Sequence, residues 1–186
     1  TVSLWSYNWT EGTATLTDPD GVKEIHTMNA NGLVTSIGTN GSGTMEIQYE
    51  NGLPEKLRSS NGTSTDLTHH AGGRLASITT SDGTTTLEYA ERTWNGATVY
   101  DVKKVTLPDG SARSYTYNDR GLCISVTDEN AAVWTTTYDD YGNILTLTDP
   151  EGRTTTMAYN TAGHPKSISS SSGKIITVTT VVVGNL

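Results

Sequence analysis

Residues 138–152 read Tyr-Asp-Asp-Tyr-Gly-Asn-Ile-Leu-Thr-Leu-Thr-Asp-Pro-Glu-Gly, and this stretch holds both turns of a short unit. An aromatic residue leads into a polar turn that closes at Gly142. A Thr-rich run with aliphatic residues follows, and a second turn closes at Gly152. The same order recurs in about eight units with a period of about 21 residues. Such a period predicts a tandem array of one supersecondary unit.

Two interleaved series of glycines mark the period. The first comprises Gly21, Gly41, Gly62, Gly83, Gly110, Gly152 and Gly173, with Asn130 in the slot between Gly110 and Gly152. The second lies about halfway between and comprises Gly12, Gly32, Gly52, Gly73, Gly121, Gly142 and Gly163. Each unit therefore has two turns and room for two strands of about seven residues, which is a β-hairpin. The longest step contains an extra loop around residues 94–97.

The strand pattern places two ladders of side chains on one face of the sheet. The first lies two residues before the aromatic slot, which is occupied by Met28, Tyr49, His69, Tyr89, Tyr117, Tyr138 and Tyr159. The second is an aliphatic slot in the returning strand, occupied by Leu16, Ile37, Leu57, Ile78, Val105, Val126, Leu147 and Ile168. Side chains alternate between faces with period two, yet Leu75 and Ile78 are three residues apart. A β-bulge in each returning strand is therefore predicted.

These patterns predict an all-β fold of tandem antiparallel β-hairpins. The hairpins form one continuous sheet that twists into a spiral, because long open sheets do not stay flat. No helix is expected, since glycines interrupt every window in which a helical period could develop. Residues 1–186 are interpreted as a single array and as a fragment of a much larger protein.

Composition excludes several classes of function. The net charge is −8, so the clustered Lys and Arg that nucleic-acid binding needs are absent. Cys123 is the only cysteine, which excludes an internal disulfide and a thiol metal site. No membrane insertion is expected, because strands of about seven residues are shorter than the roughly 9–11 that cross a bilayer.

Residue types that carry chemistry elsewhere receive a structural interpretation here. His26, the adjacent pair His69-His70, and His164 lie in three different units and are interpreted as packed or hydrogen-bonded. Asp residues in the turns are explained by hydrogen bonds to their own backbone. No nucleophile, base and oxyanion site can be assembled, so no enzyme and no cofactor are predicted.

Tryptophans are the remaining candidates for ligand contact, because their rings stack on sugars. The four are Trp5, Trp9, Trp94 and Trp134. Trp134 lies four residues before Tyr138, hence on the ladder face. Trp94 lies in the single insertion and is the candidate for an exposed ligand contact.

The elements Tyr138-Asp139-Asp140-Tyr141-Gly142 and 149–152 closely resemble YD repeats, which occur in the Rhs family, the B/C components of Tc insecticidal toxins and the teneurins. The resemblance covers nearly the whole chain, although Met28 and His69 replace the aromatic residue. It implies a β-ribbon that spirals into a hollow shell. In toxins of this kind the shell encloses a C-terminal cytotoxic domain, which an aspartyl autoprotease segment releases. No such segment and no toxin domain is recognisable here.

The resemblance implies a structural role: a wall segment of a large secreted or exported protein, most consistent with a bacterial toxin shell around a C-terminal cargo. Its partners would be the remaining repeats and that cargo. The alternative is a surface or adhesin module that recognises carbohydrate or a cell-surface protein through its edge and the Trp94 loop.

Overall fold

The computed structural model describes residues 3–39, 42–173 and 175–177. Contacts divide the chain into two units. Unit 1 contains residues 1–86 and 107–109, and unit 2 contains residues 87–106 and 110–186. The predicted turn residues Asn40 and Gly41 lie outside the described residues.

Unit 1 is a series of antiparallel hairpins joined by turns. Val, Ile and Thr are frequent in its strands, as expected for residues that fit a pleated, half-buried surface. The strands of unit 1 are β1 (Leu4–Asn8), β2 (Thr13–Thr17), β3 (Lys23–Met28), β4 (Val34–Thr39), β5 (Ser42–Glu50), β6 (Leu53–Ser59), β7 (Ser64–His69), β8 (Leu75–Thr80) and the first residues of β9 (Gly83–Trp94).

Unit 2 repeats the same design and begins with the longest hairpin. It contains the rest of β9, followed by β10 (Ala97–Thr106), β11 (Ala112–Tyr117), β12 (Cys123–Thr127), β13 (Val133–Tyr138), β14 (Ile144–Thr148), β15 (Thr154–Tyr159), β16 (Pro165–Ser170) and β17 (Ile175–Thr177). All regular structure of the described residues in both units is therefore β.

Among the described residues, each strand is hydrogen-bonded to its neighbours in sequence, and the 17 strands belong to one antiparallel sheet. The two predicted ladders face each other across the hairpins. Tyr115 pairs with Val126, Thr136 with Leu147, and Met157 with Ile168. Unit 1 has the same pairing, with His26 opposite Ile37, Ile47 opposite Leu57, and Leu67 opposite Ile78. The predicted all-β array of tandem hairpins is confirmed.

The predicted β-bulge is present in most of the hairpins, but a bulge in every returning strand was too general, because β1 and β2 pair without a register shift. In six hairpins the register shifts next to the aromatic slot, at Met28, Tyr49, His69, Tyr117, Tyr138 and Tyr159. In one of them Tyr138 pairs with Ile144 while Thr137 pairs with Thr146, so Leu145 is the extra residue. The bulge returns residues three apart to the same face.

Two local predictions were wrong. The slot between Gly110 and Gly152 is filled by Ala131, not Asn130, because Ala131 has the positive φ of 62° that glycine adopts in the equivalent turns. The insertion around Trp94 is not a loop but a longer hairpin of β9 and β10. Its turn is Asn95-Gly96, with φ values of 49° and 79°. Positive φ at both turn residues gives the twist that two-residue hairpins need, so the extra residues continue the strands.

The sheet has little buried core. Among the residues that the structure describes, Ala14 alone is fully buried, with 6% of its surface exposed. The ladder side chains are mostly half-buried, and Leu147 and Trp134 expose 39% and 40% of their surface. Stability must therefore come mainly from contacts between successive strands in each unit, as in other repeat proteins.

Candidate functional site

One type of turn recurs along the array, and in each copy a single Asp or Asn side chain accepts two backbone hydrogen bonds. Oδ1 of Asp139 accepts hydrogen bonds from the N–H groups of Tyr141 (2.9 Å) and Asn143 (2.8 Å). The same pair of bonds, from the second and fourth residues that follow, is made to Asp18, Asn29, Asn118, Asp128, Asp149 and Asn160. These Asp residues are therefore turn formers, as predicted.

Charge is stabilised in two of these turns. The side-chain hydrogen bond from Asn143 lowers the pKa of Asp139, with backbone N–H groups adding to the effect against a small desolvation. In the turn at Asp149, desolvation opposes ionisation, but the hydrogen bond and charge of Arg153 leave the pKa of Asp149 lowered. Both carboxylates are therefore fixed as acceptors at neutral pH and are poor proton donors.

The aromatic slot has a function that the spacing alone did not reveal. The Tyr138 O–H donates to the carbonyl oxygen of Cys123 (2.7 Å), the residue at the bulge of the preceding hairpin. Tyr159 bonds Ile144 in the same way (2.9 Å). Equivalent hydrogen bonds run from the Tyr49 O–H to the Val34 carbonyl oxygen and from the Tyr117 O–H to the Val102 carbonyl oxygen, each at 2.8 Å. A bulge disrupts the backbone ladder locally, and the tyrosine supplies a donor at that place.

Two arginines of unit 2 bond to neighbouring turns, Arg120 from the preceding turn and Arg92 from strand β9, and the sequence analysis identified neither. The guanidinium of Arg120 donates to the backbone carbonyls of Asp139 (2.5 Å) and Asp140 in the next turn. Arg92 donates to the Asp101 carboxylate (2.8 Å) and to the Asp119 carbonyl (3.3 Å). Arg120 does not recur at the equivalent position of other turns, so it forms no pattern that the sequence analysis could use.

Trp94 lies at the last residue of β9, beside the Asn95-Gly96 turn, and exposes 45% of its surface. The Arg92 guanidinium is 5.6 Å from the centroid of its ring, within cation–π range. Trp134, opposite Val126 in the register, lies on the ladder face as predicted.

Histidines and acidic residues do not converge on a reaction centre. Nε2 of His26 is hydrogen-bonded to Oε1 of Glu24 (2.5 Å), and its ring meets the edge of Trp5. The His164 N–H bonds the side chain of Asn160 within its turn. Over residues 3–39, 42–173 and 175–177, no three His, Cys, Asp or Glu side chains are grouped so that they could hold a metal ion. The same residues contain no helix long and apolar enough to cross a bilayer.

Comparison with solved structures identifies proteins with this fold. A crystal structure of TcdB2-TccC3 aligns with a TM-score of 0.62 and 15% identity, over 86% of this chain and 11% of that one. The TcdB2-TccC3-TEV structure gives 0.53 and 14%, over 94% and 11%. A structure of the Photorhabdus luminescens Tc holotoxin pore gives 0.48 and 13%, over 89% and 12%. The chain thus spans about a tenth of the length of each of these three solved chains. At these identities the first two alignments show a shared fold.

Comparison by sequence gives a more specific result. No curated protein matches the chain. The model of the family described as RHS Repeat matches residues 101–133 and 138–175, which are the hairpins in which the tyrosine, the bulge and the Asx turn occur together. The predicted resemblance to this family is confirmed over residues 101–133 and 138–175, which match its model.

Proposed function

We propose that this chain is a wall segment of a large secreted or cell-surface protein of the toxin type, and that its role is structural rather than catalytic. The observation that carries the proposal is a continuous sheet in which only Ala14, among the described side chains, is buried. In both units the ladder side chains stay half-exposed, so this face of the sheet is available to line an enclosed space. RHS repeats and the shared fold with TcdB2-TccC3 support this interpretation.

Such a wall would enclose a C-terminal domain of the same polypeptide. The ladder face offers a mixed lining of Tyr, Thr and aliphatic side chains, which needs no precise complementarity to a cargo. Hydrogen bonds between strands and between turns would close the wall without an apolar core. A cargo kept behind it would be protected from water and proteases.

Limited proteolysis of the polypeptide that carries this segment tests the proposal. The C-terminal portion should resist trypsin while the array is intact, and it should be degraded when Tyr117, Tyr138 and Tyr159 are all changed to Ala. Tyr141→Ala is the matched control, because Tyr141 is 93% exposed. A C-terminal portion that is digested at the same rate in all three proteins would refute enclosure.

A second candidate function is recognition of carbohydrate or of a cell-surface protein through Trp94. The favouring observation is that Trp94 lies half-exposed beside a turn, at the end of the longest strand of the chain. A glycan array probed with the isolated chain tests it. Binding that disappears in Trp94→Ala supports this function, and binding that persists in that variant excludes it.

A further inference from the structure

An exposed row of aromatic rings lies on β1 and its following turn. Trp5 and Tyr7 are alternate residues of β1, so strand geometry directs their side chains to one side, and Trp9 follows in the turn with its ring beside that of Tyr7. The Trp5 and Tyr7 ring centroids are 6.3 Å apart with planes at 19°, and the Tyr7 and Trp9 centroids are 5.6 Å apart with planes at 11°. The residues expose 45%, 57% and 82% of their surface. Three nearly parallel rings thus remain open to solvent.

A polar pair flanks this aromatic row. In the register Trp5 pairs with Leu16, and Leu16 pairs with Glu24, so the Glu24 side chain lies on the same face. His26 contacts Trp5 edge-on at a centroid distance of 5.3 Å and is hydrogen-bonded to Glu24. The Glu24 side chain is 41% exposed. The row therefore has hydrogen-bonding groups within reach on one side.

The charge around the aromatic row argues against an anionic ligand. Lys23 is the only Lys or Arg in β1, β2 and β3. It pairs with Thr17, next to Leu16 in the strand, and therefore points to the opposite face. Nucleic acids and sulfated or carboxylated polymers are bound through clustered basic side chains, which this face lacks.

We propose that the aromatic row binds a neutral, β-linked polysaccharide. Aromatic rings carry a negative face, and the C–H groups on the flat side of a pyranose ring are weakly positive, so the two stack. β-Linked chains are extended ribbons whose sugar rings follow one another at a spacing similar to that of these side chains. Glu24 and His26 would bond the hydroxyl groups at the edge of the ribbon.

A linear row suits a polymer better than it suits a protein partner. Aromatic anchors of protein interfaces are typically desolvated in well-packed pockets. Here the rings stand on an open strand with polar groups beside them. The proposed site lies wholly in unit 1, and it depends neither on enclosure of a cargo nor on Trp94 in unit 2.

Affinity electrophoresis of the whole 186-residue chain tests the site. Native gels would contain hydroxyethyl cellulose as the neutral β-linked probe, dextran as the α-linked comparator and heparin as the anionic one. The chain should be retarded by hydroxyethyl cellulose alone. Trp9→Ala should weaken binding roughly tenfold, as expected when one stacking ring is lost. Trp134→Ala is the control, because Trp134 is a partly exposed tryptophan far along the chain, on β13.

Each alternative outcome is decisive. Trp9 is so exposed that its truncation should leave the thermal unfolding midpoint unchanged, which excludes misfolding as the cause of lost binding. Absence of retardation, equal retardation by dextran, or binding that survives both Trp9→Ala and Tyr7→Ala overturns the proposal. Loss in Trp94→Ala alone assigns binding to the other tryptophan. Retardation by heparin alone shows an anionic ligand and overturns it as well.

Discussion

Removing the hydroxyl of Tyr138 should weaken the array without changing its fold. In Tyr138→Phe the ring is retained, and the hydrogen bond to the Cys123 carbonyl oxygen (2.7 Å) is the interaction that is lost. A neutral hydrogen bond contributes about 1 kcal/mol net, and the partly buried Cys123 carbonyl regains at most a bond to water. For a chain of this length, 1 kcal/mol lowers the thermal midpoint by about 2–4 °C.

The prediction extends to a series. Tyr117 and Tyr159 make the equivalent bonds to Val102 and Ile144. The three bonds have different donors and acceptors, so additive losses would reach about 3 kcal/mol in the triple Phe variant. Cys123 pairs with Tyr117 and Ile144 pairs with Tyr138, so a departure from that sum measures the coupling between neighbouring hairpins. Urea unfolding followed by tryptophan fluorescence, with thermal unfolding followed by circular dichroism, measures the loss. Tyr141→Phe is the matched control, because its ring is 93% exposed.

The reasoning fails under two results. If Tyr138→Phe is as stable as the Tyr141→Phe control, the hydroxyl at the aromatic slot contributes nothing. If the triple variant loses no more than one single variant, the bonds do not act independently at successive hairpins. Hydrogen exchange of the amides in β12 and β13 locates the effect, because the weakened contact joins these strands.

Four further substitutions test the turns. Ala131→Gly should raise the free energy of unfolding by about 1 kcal/mol, because Ala131 has a φ of 62°, and Gly152→Ala should lower it similarly; unchanged urea midpoints would contradict both. Asp139→Asn should fold normally and be less stable than the parent at neutral pH only. Because the pKa of Asp139 is lowered in the folded state, the ionised side chain stabilises the fold at pH values above the unfolded-state pKa, and this contribution is lost as the pH falls through the folded-state pKa. The difference in free energy of unfolding between parent and variant should therefore shrink in acid, and a constant difference would contradict the prediction. Gly83→Ala should cost more than Gly152→Ala, because a Cβ there would lie 2.7 Å from Cβ of Pro108; equal thermal midpoints would show that the site relaxes.

The sequence was sufficient for the period, the hairpins and the bulges. These features depend on local chemistry: Gly and Asx residues at fixed turn positions, and aliphatic residues three apart, as at Ile144 and Leu147. A period-two strand cannot place that pair on one face without an extra residue between them. The fold class was therefore predictable before any contact was known.

What the sequence could not show depends on through-space contacts or on small shifts of register. Asn130 was predicted in the glycine slot from the repeat spacing, yet the Asx bonds of Asp128 place Ala131 there. The Tyr138 hydrogen bond joins residues that are 15 apart in sequence and lie on adjacent strands, and no rule of sequence spacing predicts it. The parallel rings of Trp5 and Tyr7 likewise became evident only once β1 had a register.

The two hairpins without tyrosine separate what specifies the bulge from what stabilises it. Met28 and His69 occupy the aromatic slot, and the register shifts there as it does at Tyr138. The bulge is therefore set by the spacing of turn and aliphatic residues, not by the tyrosine hydroxyl. A unit that keeps its spacing can exchange the slot residue, at a cost to stability alone. A wall made of such units can vary its lining while its strand connections stay in phase.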